Sequence, residues 1–462
     1  MKINSFKNKL SGHIQVPGSK SHTIRALLLA SLAEGTSHIS NPLPSADCLS
    51  TSKAIPLIGA ELENDLATME NDKVWTVKGA GNKVHLPTNV IDVGNSGSLL
   101  YFLSPIAATF DGWSIFTGDE SIRKRPVAHV VDVLNQLGAE AHISQPGATT
   151  CPMLIKGPID CKAKVDTDGA VSSQYISGLM MSAIRMNGTL KIELSDPKET
   201  PYLTMTQKWL EQVGVNCRIS DDFKHIEVDG PVNLKAFDTT IPSDWEAVAF
   251  PLMAGLITDS KITIDNIDIG GTQGDDAIVD IFRSVGGDIT VDKDKKFLVV
   301  RGGKRLTTEN LPGKELHVKI SGFPDAICAI AATACFIEGT TVIEDAEVCR
   351  RKETDRIKVL KSELEKLGGN VEEGPDYMII HGHSPIKADG TKNPEFKMHG
   401  GEVDSYLDHR IAMSMACLGL GLADGETVTV KDAECCNVSF PHFFEVMNGI
   451  GANFKVLYSF AG

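Results

Sequence analysis

Val130-Val-Asp-Val-Leu-Asn-Gln-Leu137, closed by Gly138 and Ala139, is the stretch that decides the fold. Its apolar residues recur at helical spacing, so an amphipathic helix is expected. Gly138 falls where a helix ends in the left-handed conformation, and a strand should follow. The same helix–Gly–strand marker returns at Ile58-Gly59-Ala60, Val213-Gly214-Val215, Val285-Gly286-Gly287, Leu367-Gly368-Gly369 and Ile450-Gly451-Ala452, at intervals of about 72 to 83 residues. After each glycine come two short strands around a polar turn.

A second marker runs in phase with the first. It is an Ala/Leu/Met-rich helix, a turn residue and a β-branched strand, with turns at Gly35, Gly112, Gly188, Asp259, Gly339 and Gly425. Both markers give a period of about 77 residues, which divides the 462 residues into six units. Each unit reads helix–strand–helix–strand–strand, with a further strand leading into the first helix. The chain is therefore an α/β protein of repeated units. The first helix of each unit is apolar nearly all round and should be buried. The second is amphipathic and should cover the outside.

Composition bounds what such a chain can do. Its length suits about two to four domains. Hydrophobic content of 42% and charge of 23% fit a soluble globular enzyme. A net charge of −15 argues against a nucleic-acid partner, yet local cations can still gather an anionic small molecule. The ten cysteines show no C-x-x-C and no zinc spacing, so neither a metal nor a disulfide framework is expected and the chain reads as cytoplasmic. Its polar N-terminus is no signal peptide. The longest apolar run, Ile411 to Ala423, is too short to span a membrane.

A buried helix offers its N-terminal N–H groups to whatever lies beside it. The six starts are Ser19-Lys20-Ser21 with Arg25, Gly94-Asn95-Ser96-Gly97-Ser98, Val171-Ser172-Ser173-Gln174, Pro242-Ser243-Asp244, Gly322-Phe323-Pro324-Asp325 and Asp408-His409-Arg410. Each alone is an ordinary N-cap. Several, however, carry cations that capping does not need. In Val16–Leu32, Lys20 and Arg25 sit where the helix dipole is already positive. Either they are solvated on a capped surface helix, or they hold an anion together with the backbone N–H groups. Gly18-Ser19-Lys20-Ser21 looks like the end of a P-loop, but the upstream glycine is missing, which excludes that motif. Two more basic clusters are Arg123-Lys124-Arg125 and Arg350-Arg351-Lys352-Glu353-Thr354-Asp355-Arg356. If the second opens a helix, Lys352 and Arg356 share a face and Glu353 is turned away. It is either a salt-bridged helix start or a carboxylate tuned by cations beside a ligand's phosphate or carboxylate.

Taken together, these motifs resemble the enolpyruvyl transferase family over the whole length. The resemblance rests on Pro17-Gly-Ser-Lys-Ser21 with Arg25, Gly94-Asn-Ser-Gly97, Lys124-Arg125-Pro126, Val171-Ser-Ser-Gln174, Pro201-Tyr202, Pro324-Asp325, Arg351-Lys-Glu-Thr-Asp-Arg356, Asp408-His-Arg410 and Phe440-Pro441. Within the family it points to the branch that acts on shikimate 3-phosphate. Lys20-Ser21 stands where the UDP-N-acetylglucosamine branch has Lys-Asn, and the Arg123–Pro126 loop lacks that branch's cysteine. The resemblance implies a two-domain fold, an inside-out α/β barrel with three units per domain. Domain I would be residues 1–19 plus 241–462 and domain II residues 20–240, with the site in the cleft between them. It implies a monomer that needs no cofactor and moves the enolpyruvyl group of phosphoenolpyruvate onto the 5-hydroxyl of shikimate 3-phosphate.

It also implies roles for residues. Lys20, Gly97, Arg125, Gln174, Arg356 and Arg410 would hold phosphoenolpyruvate. Lys20, Ser21, Arg25, Ser172, Ser173, Gln174, Tyr202, Asp325 and Lys352 would hold the acceptor. Lys20, Asp325 and Glu353 would move protons. Gly97 leaves a volume that an alanine would fill, so glyphosate sensitivity is expected. The sequence departs from the family pattern in places. Tyr101 stands where many members have arginine. Glu199 replaces a hydroxyl that elsewhere touches the acceptor phosphate, and it should repel that phosphate unless turned outward. Asp244-Trp245-Glu246-Ala247 replaces Asp-x-Ser-Ser, and Val438 stands where some members have lysine. These departures keep open a paralogue with another cyclitol acceptor, or a ligand-binding protein without turnover.

Overall fold

The computed structural model describes residues 1–457. The chain divides into two compact units. Gly18–Pro242 forms an inserted unit, and Met1–Pro17 joins the residues from Ser243 onward in a discontinuous one. The breaks fall two residues from those expected at 19/20 and 240/241.

In the inserted unit three apolar helices are buried: α1 (Lys20–Leu32), α2 (Gly97–Ala107) and α3 (Ser173–Ser182). In the discontinuous unit the equivalents are α4 (Trp245–Ile257), α5 (Ile327–Ala334) and α6 (His409–Leu420). Every residue of α2, α4, α5 and α6 is buried, and each unit has its own hydrophobic core. These helices carry too little polar surface to face water. Helices such as Ala128–Gln136 and Arg356–Lys366 bury one side only.

The described strands form six sheets built to one plan. A strand enters parallel to a central strand across a buried helix, and a hairpin then adds antiparallel. Ile91–Asp92, α2 and Gly112–Thr117 make one such crossover, and Met153–Gly157 and Glu140–Ile143 complete its sheet. Val165–Thr167, α3, Gly188–Leu194, His225–Gly230 and Cys217–Ile219 make another. A parallel pair needs such a connection, because a tight turn can join only antiparallel neighbours.

Two sheets exchange their entering strands. Ser11–Gln15 precedes α1 but pairs with Lys261–Asp265, after α4. Asp238–Thr240 precedes α4 but pairs with Glu34–Ser40, after α1. A departure from the expected order lies in the last unit. Only Asn453–Leu457 follows Gly451 among the described residues, and the N-terminal strand Lys2–Phe6 fills the place between it and Thr427–Lys431.

A further glycine series accompanies the two found in the sequence. Gly79, Gly157, Gly230, Gly302 and Gly382 lie within one residue of the ends of hairpin strands. At each, the position a Cβ would take is already occupied by backbone carbonyl oxygens at the end of the buried helix, such as Ala33 for Gly79 and Ala108 for Gly157. Only glycine lets strand and helix approach so closely.

Candidate functional site

In the inserted unit, Ser19 caps α1 by accepting from the His22 amide, so the helix opens with Lys20 and Ser21. Lys20 Nζ lies 3.3 Å from Asp47 Oδ2, with both side chains largely buried. Asp47 stands in the first turn of the helix Ala46–Ala54, which Ser45 caps. One turn on, Arg25 is 1% exposed. It donates to Thr206 Oγ1 (2.9 Å), the Ser21 carbonyl (3.0 Å), Ser177 Oγ (3.3 Å) and the Tyr202 carbonyl (3.3 Å), and lies over the Phe102 ring. No acidic side chain among the described residues forms an ion pair with it. Burial pulls the guanidinium down to about 9, the signature of a buried charge without a counter-ion.

Gly97, Arg125 and Gln174 come together. A Cβ on Gly97 would strike Arg125 Nη1 and lie 3.8 Å from Gln174 Oε1. Gln174 Nε2 donates to Ser98 Oγ at 3.2 Å. Tyr101 is 5% exposed, and its hydroxyl donates to the Pro126 carbonyl at 2.8 Å. Instead of adding a charge, this position ties α2 to the loop that carries Arg125.

Ser172 caps α3, accepting from the Gln174 amide at 3.1 Å. Of the two arrangements left open for Glu199, the structure has the inward one. It is 3% exposed, and its Oε2 accepts from Ser172 Oγ (3.2 Å), Ser173 N (3.0 Å) and Ser173 Oγ (3.2 Å). A helix N-terminus attracts a carboxylate as it would any anion. Glu199 has the left-handed φ of 51°, and the turn aims its side chain at α3.

In the discontinuous unit the polar residues form a buried ionic cluster. Arg356 donates from Nε to Asp408 Oδ2 (2.8 Å), from Nη1 to Asp325 Oδ1 (2.5 Å) and from Nη2 to Glu353 Oε2 (2.6 Å) and Asp408 Oδ1 (3.2 Å). Burial opposes its charge, but Asp408, Glu353 and Asp325 outweigh that and hold it well above its usual range. Arg410 pairs with Glu246 and lies 3.3 Å from Asp325 Oδ1, while Lys352 Nζ lies 3.6 Å from Asp325 Oδ2. Asp408 caps α6, and Asp244 caps α4. Asp275 is 1% exposed, and burial first, then the charges of Glu246 and Asp325, push its carboxyl well above the ordinary range. It therefore keeps its proton more readily than an ordinary aspartate.

The expected helical spacing of Lys352, Glu353 and Arg356 is corrected here. Asp355 is the N-cap, accepting from the Lys358 amide at 3.0 Å, so the helix starts only at Arg356. Lys352 and Glu353 lie ahead of it, which frees Glu353 to fold back onto Arg356.

The residues named from the sequence divide between the two units. Lys20, Ser21, Arg25, Gly97, Arg125, Ser172, Ser173, Gln174 and Tyr202 belong to the inserted unit. Asp325, Lys352, Glu353, Arg356 and Arg410 belong to the discontinuous one. Sequence reasoning missed Asp47, Asp275, Ser177 and Thr206. Asp47 carried a signal, as an acidic first-turn residue behind a serine cap; the other three carried none. No group of His, Cys, Asp and Glu among the described residues could hold a metal ion. No described helix is long and apolar enough to cross a membrane.

The chain is similar to known proteins along nearly its whole length. Residues 5–447 match the family described as EPSP synthase (3-phosphoshikimate 1-carboxyvinyltransferase). A protein of that name from Ruminiclostridium cellulolyticum is 35% identical over 98% of this chain and 99% of its own. Another from Methanocaldococcus jannaschii is 37% identical over 97% of this chain and 98% of its own. The solved EPSP synthase from Acinetobacter baumannii superposes with a TM-score of 0.78 at 25% identity, covering 99% of this chain and 100% of that one. The enolpyruvyl transferase NikO from Streptomyces tendae shares the fold, with a TM-score of 0.74 at 17% identity and 98% of each chain covered.

Proposed function

The chain belongs to the EPSP synthase family, and from that membership we propose that it transfers the enolpyruvyl group of phosphoenolpyruvate to the 5-hydroxyl of shikimate 3-phosphate. Protonation of C3 turns the methylene into a methyl group as the hydroxyl oxygen gives its proton to a basic side chain and adds to C2. The tetrahedral intermediate then gives a proton back from that methyl, the C2–O bond to phosphate breaks, and phosphate leaves. Such a reaction needs cations and N–H groups for two phosphates and two carboxylates, and side chains that move protons.

The observation that carries this reading is Arg25, a buried guanidinium with hydroxyl and carbonyl partners but no carboxylate among the described residues. An anionic ligand supplies the missing charge. Arg25 would hold the acceptor with Ser21, Ser172, Ser173, Gln174, Tyr202, Asp325 and Lys352. Arg125, Gly97, Gln174, Arg356 and Arg410 would hold phosphoenolpyruvate. Lys20, which contacts both substrates in this reading, would move protons with Asp325 and Glu353. In this reading no metal or organic cofactor takes part. We read the six sheets as copies of one unit, three to a domain, in the inside-out α/β barrel of the enolpyruvyl transferases. We place the protein in a reducing cytoplasm, as a monomer; the ten free cysteines support the compartment.

Phosphate release from phosphoenolpyruvate plus shikimate 3-phosphate tests the proposal. The wild-type chain should turn over, and Lys20→Ala and Glu353→Gln should each lower kcat/KM by about 100-fold or more. No release by the wild-type chain, or near-full kcat/KM in both variants, overturns it.

A further inference from the structure

Glu199 occupies the N-cap position of the helix Thr200–Gln212, yet its side chain does not cap that helix. It reaches instead to the start of α3, where three donors from two consecutive serines converge on one of its oxygens. The backbone there is left-handed at φ 51°, which a glutamate adopts only where its surroundings over-determine it. The side chain is 3% exposed. Two unfavourable features, a strained turn and a buried carboxylate, thus accompany this contact. That contact satisfies every donor through which Ser172 and Ser173 could hold an arriving anion, apart from the amide of Ser172.

We infer that Glu199 is a resident anion that competes with the acceptor's phosphate for Ser172 and Ser173, and so sets the affinity for that substrate alone. The inference rests on the proposed reaction, in which those serines receive the acceptor phosphate. A phosphate oxygen and the Glu199 carboxylate ask for the same N–H and O–H groups, and both cannot have them. Two anions on one helix start also repel. The acceptor must therefore displace Glu199, and the work of displacement is lost from its binding. Phosphoenolpyruvate meets no such competitor at these serines. Glu199 is a specificity-determining residue: it admits an acceptor only if the rest of that molecule supplies the compensating contacts, and it rejects simple phosphate.

Glu199→Gln tests this, because it keeps the size and a hydrogen-bond acceptor but removes the charge. Glu199→Asp is the second variant, since it withdraws the charge by one methylene. Calorimetry with inorganic phosphate and with shikimate 3-phosphate, with KM for each substrate and Tm, gives the readouts. Both variants should bind both phosphates at least tenfold more tightly than the wild type, with KM for phosphoenolpyruvate within twofold. Unchanged or weaker phosphate binding overturns the inference. So does a fall in Tm in both variants without tighter binding, which would make Glu199 a tie between two helices. Turnover by the wild type is a separate readout. If it is absent, the reaction is wrong, but the inorganic phosphate comparison still decides the role of Glu199.

Discussion

Gly97→Ala tests the phosphoenolpyruvate half of the site. Gly97 is the first residue of α2 and is not in the left-handed region, so the backbone accepts alanine. Alanine also favours a helix over glycine by up to about 1 kcal/mol. The difficulty lies in the side chain: the new Cβ falls on Arg125 Nη1, the far end of a long side chain, with Gln174 Oε1 3.8 Å away. The backbone should hold and Arg125 should swing aside. If Arg125 gives phosphoenolpyruvate one charge-assisted hydrogen bond, its loss costs about 1.5–3 kcal/mol. That is about 10- to 150-fold in affinity. Initial rates of phosphate release, with each substrate varied in turn, read the effect. KM for phosphoenolpyruvate should rise by that factor, KM for shikimate 3-phosphate should stay within threefold, and Tm should not fall. Glyphosate should inhibit the variant less. In an Arg125→Ala background the alanine at 97 should add little, because one interaction cannot be lost twice. Additive effects, or a rise in the acceptor KM alone, would refute the reasoning.

Gly157→Ala should be far more damaging to stability, because its Cβ would meet the carbonyls of Ala108 and Phe110, which cannot swing away. A loss of about 3 kcal/mol in urea unfolding is expected, against about 0.5 kcal/mol or less for Gly449→Ala, where nothing lies within 4 Å. His22 receives the Trp209 indole N–H at 2.9 Å, and burial, with the Arg25 charge, lowers it from 6.5 to about 3. Its stabilisation is complete above pH 6.5 and is lost as pH falls toward 3, because only the unfolded chain takes up the proton. The difference in unfolding free energy between wild type and His22→Phe should therefore change by about 1.4 kcal/mol per pH unit between about pH 4 and 6. A flat difference would show that His22 titrates alike in both states.

The repeat was legible because its markers are local. A glycine that ends a helix does so through its own φ, as at Gly138 (94°) and Gly214 (85°). For the opposite reason, the exchanged strands could not be read from the strands themselves, only from the domain bounds that the resemblance implied. Ser11–Gln15 has the same alternating character whichever partner it meets, and the pairing with Lys261–Asp265 is fixed 250 residues away. The glycine series at Gly79, Gly157 and Gly230 was in plain view, but its meaning depends on a helix end that the strand sequence does not mention.

The site divides along the same line. Ser19, Ser96, Ser172 and Asp408 are caps, and capping is read from a residue type and the apolar run behind it. What the sequence could not order was competition. Asp355 takes the cap of Arg356–Lys366 away from the residues before it, and so decides that Glu353 faces Arg356. Glu199 takes the serines of α3 through a backbone angle that glutamate seldom adopts. Residue types named the cations and the helix starts, but not which carboxylate would reach each one first. In this chain that order bears directly on function. Glu246 sits on Arg410, Asp325 on Lys352 and Arg356, and Glu199 on Ser172 and Ser173. In the proposed reaction, each contact would set how much free energy a substrate anion must supply to take its place.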